Sequence, residues 1–294
     1  MNSLFMKNYQ NFMLFFTFFL FWFSIQFGKL VEDSVAFVLI VSLGILHGAN
    51  DLLILSKGKN GRKVFLKHLF IYLSIITTCV LIYLLSSFVA ILLFILLSSY
   101  HFGEEHLGEQ IKVNKLFNSI YYLAYGVFLF SMLFYVSMSD VNEIMRELTQ
   151  AAFTEFQIEV TFLISASILL GASVYLVLTE KALLSTLLKE VFYLCLLFVV
   201  FKTSSLILGF AIYFIFWHSI PSLLNQVAYI YGNLTQKSVL GYIKKAFIYW
   251  VISVFGLFIL YQIIPQVNLF STIIFVVLFA VTAPHTWVMY RMKS

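Results

Sequence analysis

Long apolar runs follow one another along almost the whole chain, and this pattern constrains the fold more than any other feature. A membrane-spanning helix needs about 20 mostly apolar residues. We predict ten such helices, at residues 10–27, 34–55, 66–85, 88–103, 117–138, 158–178, 188–202, 204–230, 244–264 and 269–290. Because mostly short polar connections separate the runs, we expect an all-α polytopic membrane protein in which residues 1–294 form one integral membrane domain.

Composition agrees with that fold class. Hydrophobic residues make up 62% of the chain and charged residues 11%, whereas soluble domains contain about 25% charged residues. The two cysteines, Cys79 and Cys195, lie inside apolar runs and predict neither a disulfide framework nor a zinc motif. The net charge of +5 indicates no nucleic-acid partner, because Lys and Arg at the cytoplasmic membrane surface account for it.

The distribution of basic residues predicts the orientation. With ten helices, 15 of the 18 Lys and Arg residues fall on one side of the membrane. The other side has Lys29, Arg146 and Lys202. Because Lys and Arg accumulate in cytoplasmic loops, we expect both termini in the cytoplasm. The chain is therefore predicted to be a multi-pass protein of the cell's inner (plasma) membrane.

The sizeable external connection in this arrangement is residues 139–157. Ile144, Leu148, Ala151 and Ala152 have the spacing of one helix face there. The pattern predicts a short amphipathic helix that lies on the outer surface of the membrane.

Four histidines lie at similar depth in even-numbered apolar runs, which all cross the membrane in the same direction. They are His47, His101, His218 and His285. An imidazole inside a bilayer is costly and usually has a partner. One shared transition metal explains four of them together, although imidazole suits zinc, copper, iron and nickel alike. His106 is the reserve ligand, because it lies five residues after His101 and so is turned off that face.

Polar and aromatic neighbours predict the surroundings of these histidines. Asp51, Glu105 and Ser222 each lie four residues after a histidine and share its helix face. A carboxylate behind a liganding imidazole fixes its tautomer and raises its basicity, so Asp51 and Glu105 are candidate supports. The candidates for lining a substrate pocket are Tyr100, Tyr213, Phe216 and Trp217.

Small residues and prolines lie beside the same histidines. Gly44 and Gly48 bracket His47, and this spacing allows a neighbouring helix to approach closely. Gly103, Pro221 and Pro284 predict local disturbance of their helices. Irregular backbone at membrane depth is tolerated where it is buried or lines a cavity, so these residues also indicate a site.

The residues alone leave the function class open. One hypothesis is a membrane oxidoreductase with histidine-bound iron or haem. Another is a transporter of a metal or small molecule, with the histidines along its pathway. No two of the six histidines are four residues apart, which argues against di-iron hydroxylases with HxxxH clusters. A transport pathway needs polar groups at several depths, whereas these four lie at one level.

Four short segments together resemble the signatures of the Brp/Blh family of membrane-bound, iron-dependent β-carotene 15,15'-dioxygenases. They are HGAND at 47–51, SYHFGE at 99–104, FWHS at 216–219 and APH at 283–285. The resemblance implies Fe2+ held by histidines, O2 as cosubstrate, and cleavage of the central bond of β-carotene to two all-trans-retinal molecules. It also implies a retinal-binding rhodopsin as a possible recipient of the product.

The resemblance assigns ligands residue by residue. His47, His101 and His218 carry over as iron ligands. Family members often have a second histidine four residues after the one that matches His218, and this chain has Ser222 there. His285 is the first substitute for that fourth ligand, and His106, where the family usually has Asp, is the second.

Overall fold

A computed structural model of the chain describes residues 3–58, 61–108, 110–111, 113–263 and 269–293. Its helices are α1 Ser3–Gln26, α2 Lys29–Leu39, α3 Ile45–Gly48, α4 Asp51–Leu55, α5 Arg62–Leu85, α6 Ser87–Leu107, α7 Lys115–Val136, α8 Met138–Thr149, α9 Glu155–Thr179, α10 Leu184–Thr203, α11 Leu206–Ile212, α12 Ile220–Tyr231, α13 Gln236–Ile263 and α14 Leu269–Lys293. Two π-helical segments, Ile40–Gly44 and Tyr213–Ser219, and a 3₁₀ turn, Lys181–Leu183, link some of them. The described residues contain no strand.

The predicted all-α membrane fold is confirmed. Eight helical stretches of the described residues are long and apolar enough to cross a membrane, from Lys29–Leu55 to Gln236–Ile259. The first and tenth predicted runs coincide with α1 and α14, which are also long helices. Three details of the predictions, residue 264 at the end of the ninth run and the basic residues Lys59 and Lys112, lie outside the described residues.

Serine residues make the narrow breaks between adjacent spans. Ser86 has an extended backbone and its hydroxyl accepts a hydrogen bond from the Val89 amide at 3.4 Å, which caps α6. Ser205 caps α11 in the same way through the Leu208 amide at 3.2 Å. A serine cap satisfies one of the free amides at a helix start, so a short break suffices to reverse the chain.

Helices α6 and α7 cross with their backbones in contact. A Cβ added to Gly103 would lie 2.0 Å from the Tyr122 carbonyl oxygen, and one added to Gly126 would lie 2.0 Å from the Ser99 carbonyl oxygen. Helix α6 runs without interruption from Ser87 to Leu107. The prediction that Gly103 disturbs its helix is therefore wrong, because its missing side chain serves close packing instead.

The outer connection forms the expected short helix, α8, but with a different buried face. Val141, Met145 and Leu148 are buried, whereas the predicted face continued to Ala151 and Ala152. Helix α8 ends at Thr149, and Gln150 has a positive φ of 59°. A left-handed residue stops the helical periodicity, so the two alanines lie beyond the helix.

The two π-helical segments each lie close to one of the four histidines. Ile40–Gly44 ends just before His47, and Tyr213–Ser219 contains His218. Pro221 follows the second segment and has no amide hydrogen to donate back along the helix. The predicted disturbance at Pro221 thus takes the form of wide turns. Pro284, by contrast, lies inside α14, which continues past it as α-helix, so the disturbance there does not interrupt the helix and is confined to the hydrogen bond that a proline cannot donate.

Candidate functional site

The four predicted histidines meet in the interior of the bundle, and we call them the histidine cluster. They are His47 on α3, His101 on α6, His218 on the second π-helical segment and His285 on α14. Neighbouring ring centres lie 4.7 Å apart for His47–His285, 5.2 Å for His101–His285, 4.7 Å for His101–His218 and 5.6 Å for His47–His218. All four side chains are buried.

Several ring nitrogens of the histidine cluster have no hydrogen-bond partner despite being buried. They are both nitrogens of His101, Nδ1 of His218 and Nε2 of His285. His47 Nδ1 donates to the Gly44 carbonyl oxygen at 2.6 Å, which leaves its Nε2 with the lone pair. Buried polar atoms in native proteins are nearly always satisfied. The unpaired nitrogens therefore indicate a place where something else binds.

Asp51 supports a histidine, but one on another helix. Its two carboxylate oxygens lie 2.9 and 3.1 Å from His285 Nδ1, and the Tyr72 hydroxyl donates to it at 3.0 Å. The sequence had paired Asp51 with His47 by its spacing. The helix ends at Gly48 and resumes at Asp51 after a turn at Asn50. That turn removes the common face, so the carboxylate lies beside His285 instead.

This contact fixes the tautomer of His285. Because the carboxylate accepts a hydrogen bond from Nδ1, the lone pair of that ring is on the unpartnered Nε2. A carboxylate in this position holds the ring orientation, as in many histidine-ligated metal sites. Asp51 is itself buried, so its interaction with the imidazole is little screened by water.

The spacing of the rings fits a single first-row metal. A metal about 2.1 Å from a ring nitrogen lies about 3.2 Å from the ring centre, so adjacent ligand rings have centres about 4.6 to 5.3 Å apart. Three of the four neighbouring distances lie in that range and the fourth, 5.6 Å, is just above it. Yet no three His, Cys, Asp or Glu side chains among the described residues are placed so that they form a metal site. The ring centres are therefore spaced as they would be around one metal ion, but the ring nitrogens are not arranged around one common position.

The histidine cluster lines a cavity of about 250 Å³, which we call the central cavity. Phe102 and Phe214 form its aromatic wall and pack on His218 with ring centres 4.5 and 5.9 Å away. On the opposite side it is lined by Ile252 and Val281, which are 62% and 38% exposed at the protein surface. The central cavity therefore reaches from the histidines towards a lipid-facing surface between α13 and α14.

None of the four aromatic residues predicted to line a substrate pocket lies along the central cavity. Tyr100 contacts Tyr122, Tyr213 packs on Phe102, Phe216 stacks on Phe16, and Trp217 donates to Thr17. They were chosen as neighbours in sequence, and residues next to a histidine point away from its face. Phe214 lies four residues before His218 and shares its helix face. This spacing could have identified Phe214 as a lining residue from the sequence. Tyr72 gives no such signal, because its helix carries no site motif.

Glu105 and His106 lie in a different cavity of about 880 Å³, which we call the side chamber. His106 Nε2 lies 2.7 Å from Glu190 Oε2, and its ring stacks on Tyr125. Glu105 accepts from Asn225 at 2.9 Å and forms an ion pair with Lys293 at 3.0 Å. Glu105 was predicted to support His101, but its side chain is engaged by these other partners.

Ser222 is fully buried but lies outside the histidine cluster. Its hydroxyl contacts Met289 Sδ at 3.9 Å and accepts from Gln226 at 3.3 Å. The position where the family resemblance led us to expect a second histidine is therefore filled by a packed, hydrogen-bonded serine. His285, on α14, is the fourth imidazole of the cluster instead.

Comparison with known proteins supports the resemblance seen in the motifs. A protein-family model described as "Beta-carotene 15,15'-dioxygenase" matches residues 38–293. This range includes all four members of the histidine cluster. No curated protein and no solved structure matches the chain.

Proposed function

The chain belongs to the beta-carotene 15,15'-dioxygenase family, and on that premise we propose that it cleaves the central 15,15' double bond of β-carotene with O2 to two all-trans-retinal molecules. Family membership makes it an oxygenase that acts on β-carotene. We further propose that Fe2+ is the cofactor and that His47, His101, His218 and His285 hold it.

The observation that supports this site is the meeting of four buried imidazoles whose remaining nitrogens have no protein partner. Burying one unpaired polar group already costs about 1–3 kcal/mol. Four imidazoles, of which His285 alone has a carboxylate partner, are poorly explained as packing. A bound cation whose ligands are neutral nitrogen donors accounts for all of them.

The protein's part in the reaction is to hold the histidines in place, to orient the substrate beside them and to exclude water. Asp51 fixes His285 with its Nε2 lone pair available, and the Gly44 carbonyl does the same for His47. Phe102, Phe214 and the aliphatic lining of the central cavity would hold a polyene beside the histidines, away from water. When bound, the iron would supply the activation of O2.

The lateral position of the central cavity suits a substrate dissolved in lipid. Ile252 and Val281 are both exposed where α13 and α14 face the membrane. A carotenoid would reach the histidines through the bilayer without crossing an aqueous channel. We propose that retinal leaves by the same route in the plasma membrane and passes to a retinal-binding protein such as a rhodopsin.

Pigment analysis tests the proposal. Membranes from cells that make β-carotene would be compared with and without this protein, and with His101→Ala. We expect loss of β-carotene and appearance of retinal with the wild type only. Iron in the purified wild-type protein, without a haem absorption spectrum, would identify the cofactor.

Two results would contradict the proposal. Intact β-carotene beside well-folded wild-type protein would exclude this substrate. A haem spectrum, or iron that remains fully bound in His101→Ala, would exclude the proposed ligand set even if retinal appeared.

A further inference from the structure

We propose that a second, entirely apolar cavity beneath α8 is the binding subsite for one end of the carotenoid, and that it sets how long a substrate the enzyme accepts. This inference rests on the proposed function. We call it the distal cavity. Its lining includes Ile91, Phe130, Leu133, Met145, Leu148 and Phe210.

The chemistry of the distal cavity selects a hydrocarbon. Every residue that lines it is Ile, Leu, Val, Met or Phe. A polar group placed there would lose its hydrogen bonds to water without finding a partner, which is unfavourable. The cavity therefore fits the hydrocarbon end of a polyene that carries no polar group, and not a headgroup, a metal or a peptide.

The distal cavity adjoins the central cavity, and the two are separated by shared and stacked side chains. Leu278 lines both cavities. Phe210 of the distal cavity stacks on Phe214 of the central cavity at 5.3 Å, and Phe130 stacks on Phe102 at 5.6 Å. One aromatic wall therefore runs from the histidine cluster into the distal cavity, and the aliphatic side chain of Leu278 lies at the boundary between them.

The depth of the distal cavity matches a long substrate whose middle is at the histidines. Ile91 lies ten residues before His101 on α6, and Leu278 lies seven before His285 on α14. At about 1.5 Å per helical residue, the cavity lies about 10–15 Å from the histidine cluster along the helices. One half of a symmetric rod cleaved at its centre would occupy it, while the other half extends towards the lateral opening between α13 and α14.

Adjacent residues on α6 give a matched pair for the test. Ile91 is 3% exposed and lines the distal cavity, whereas Leu92 is 37% exposed on the lipid-facing side. Retinal formation would be measured in membranes containing the wild type, Ile91→Trp and Leu92→Trp. Met145→Phe, which fills the cavity from α8, serves as a second variant. Each protein would receive β-carotene or a β-apocarotenal shortened at one end.

We expect Ile91→Trp and Met145→Phe to cleave β-carotene about tenfold more slowly than wild type, because overfilling a packed space is costly. Cleavage of the shortened substrate should stay within about threefold of wild type, because this substrate can bind with its intact end towards the lateral opening and its shortened end pointing to, but not reaching, the distal cavity. Leu92→Trp should resemble wild type with both substrates. Activity on the short substrate also shows that the variants fold.

Other outcomes overturn the inference. Equal loss with both substrates would mean that the substitutions act on the fold or on the histidine cluster. No loss with either substrate, or an equal loss in Leu92→Trp, would mean that the distal cavity holds a lipid chain or is a packing gap. Absence of retinal from wild type with both substrates would instead contradict the proposed function itself.

Discussion

Two histidine sites in this protein, one half-buried and one fully buried, differ in how their ring nitrogens are satisfied. In the side chamber, His106 has a carboxylate partner, Glu190, at 2.7 Å. In the histidine cluster, only His47 and His285 have protein partners, and each uses a single nitrogen. The side chamber is also the larger cavity, about 880 Å³ against about 250 Å³.

This difference supports the ligand-binding role proposed for the histidine cluster and favours a structural role for His106. A buried charged or polar pair within hydrogen-bond distance meets its own requirements, and His106–Glu190 does so. A group of imidazoles with unpaired nitrogens needs something from outside the protein. His106 is less buried than the four histidines of the cluster, and the difference in hydrogen-bond partners separates the two sites further.

The largest effect should follow removal of the histidine with the most unpaired atoms. His101→Ala should reduce retinal formation by more than about 100-fold, because loss of a group that merely supports a ligand already costs 10- to 100-fold. The measurement is retinal per unit of folded protein in membranes. Activity close to wild type in His101→Ala would remove the distinction between the two sites.

Substitution of the supporting carboxylate should come next. Asp51→Asn keeps the size of the side chain and loses its charge, so we expect about a 10- to 100-fold fall in metal affinity or activity. Tyr72→Phe removes one hydrogen bond to the same carboxylate and should cost less. Metal content measured by titration with a chelator distinguishes the two, and an equal loss in both variants would contradict the role given to the charge of Asp51.

A smaller effect is expected in the side chamber. Glu190→Gln keeps an oxygen that can accept from His106 but removes the charge, so the thermal midpoint should fall. Retinal formation should change by no more than about threefold, less than 1 kcal/mol. Loss of iron from Glu190→Gln would show that the side chamber takes part in metal binding, and the comparison between the two histidine sites would fail.

The smallest effect should be that of Ser222→Ala. The hydroxyl contacts Met289 and Gln226 rather than the histidine cluster. We expect retinal formation within about twofold of wild type, since one neutral hydrogen bond contributes about 1 kcal/mol. Iron content should be unchanged, and a clear decrease would indicate that Ser222 replaces the family's second histidine as a ligand.

The sequence predicted the depth of the four histidines in the membrane better than their lateral positions. The four histidines lie on helices that cross in the same direction, so their common level followed from topology. Their meeting in one place depends on how helices pack, which no single run of residues encodes. His106 also lies near that level, and only the contact with Glu190 shows that it belongs to another cavity.

Local breaks explain most of what the sequence misplaced. The i, i+4 pairing of Asp51 with His47 assumes a continuous helix, and the turn at Asn50 removes that condition. The π-helical segments change which residues share a face with His47 and His218. In such segments each backbone hydrogen bond spans one residue more than in an α-helix. An argument from sequence periodicity does not detect so small a difference. The assignment of the four histidines as iron ligands stays a prediction.

The π-helical segments also constrain changes in chain length. A π-helical turn holds about one more residue than an α-helical turn. Deleting one residue from Tyr213–Ser219 would barely shorten the apolar stretch, so the protein would still insert into a membrane. Because the wide turn already holds the extra residue, such a deletion would let the segment close to an ordinary α-helix and leave α11 near its present rotation. One residue removed from α11 itself would instead rotate the preceding part of the helix by about 100° relative to His218. Chimeras with related enzymes should therefore join their segments in the connections between helices, and a one-residue difference in length within a helix that carries a histidine should be tolerated best at Ile40–Gly44 or Tyr213–Ser219.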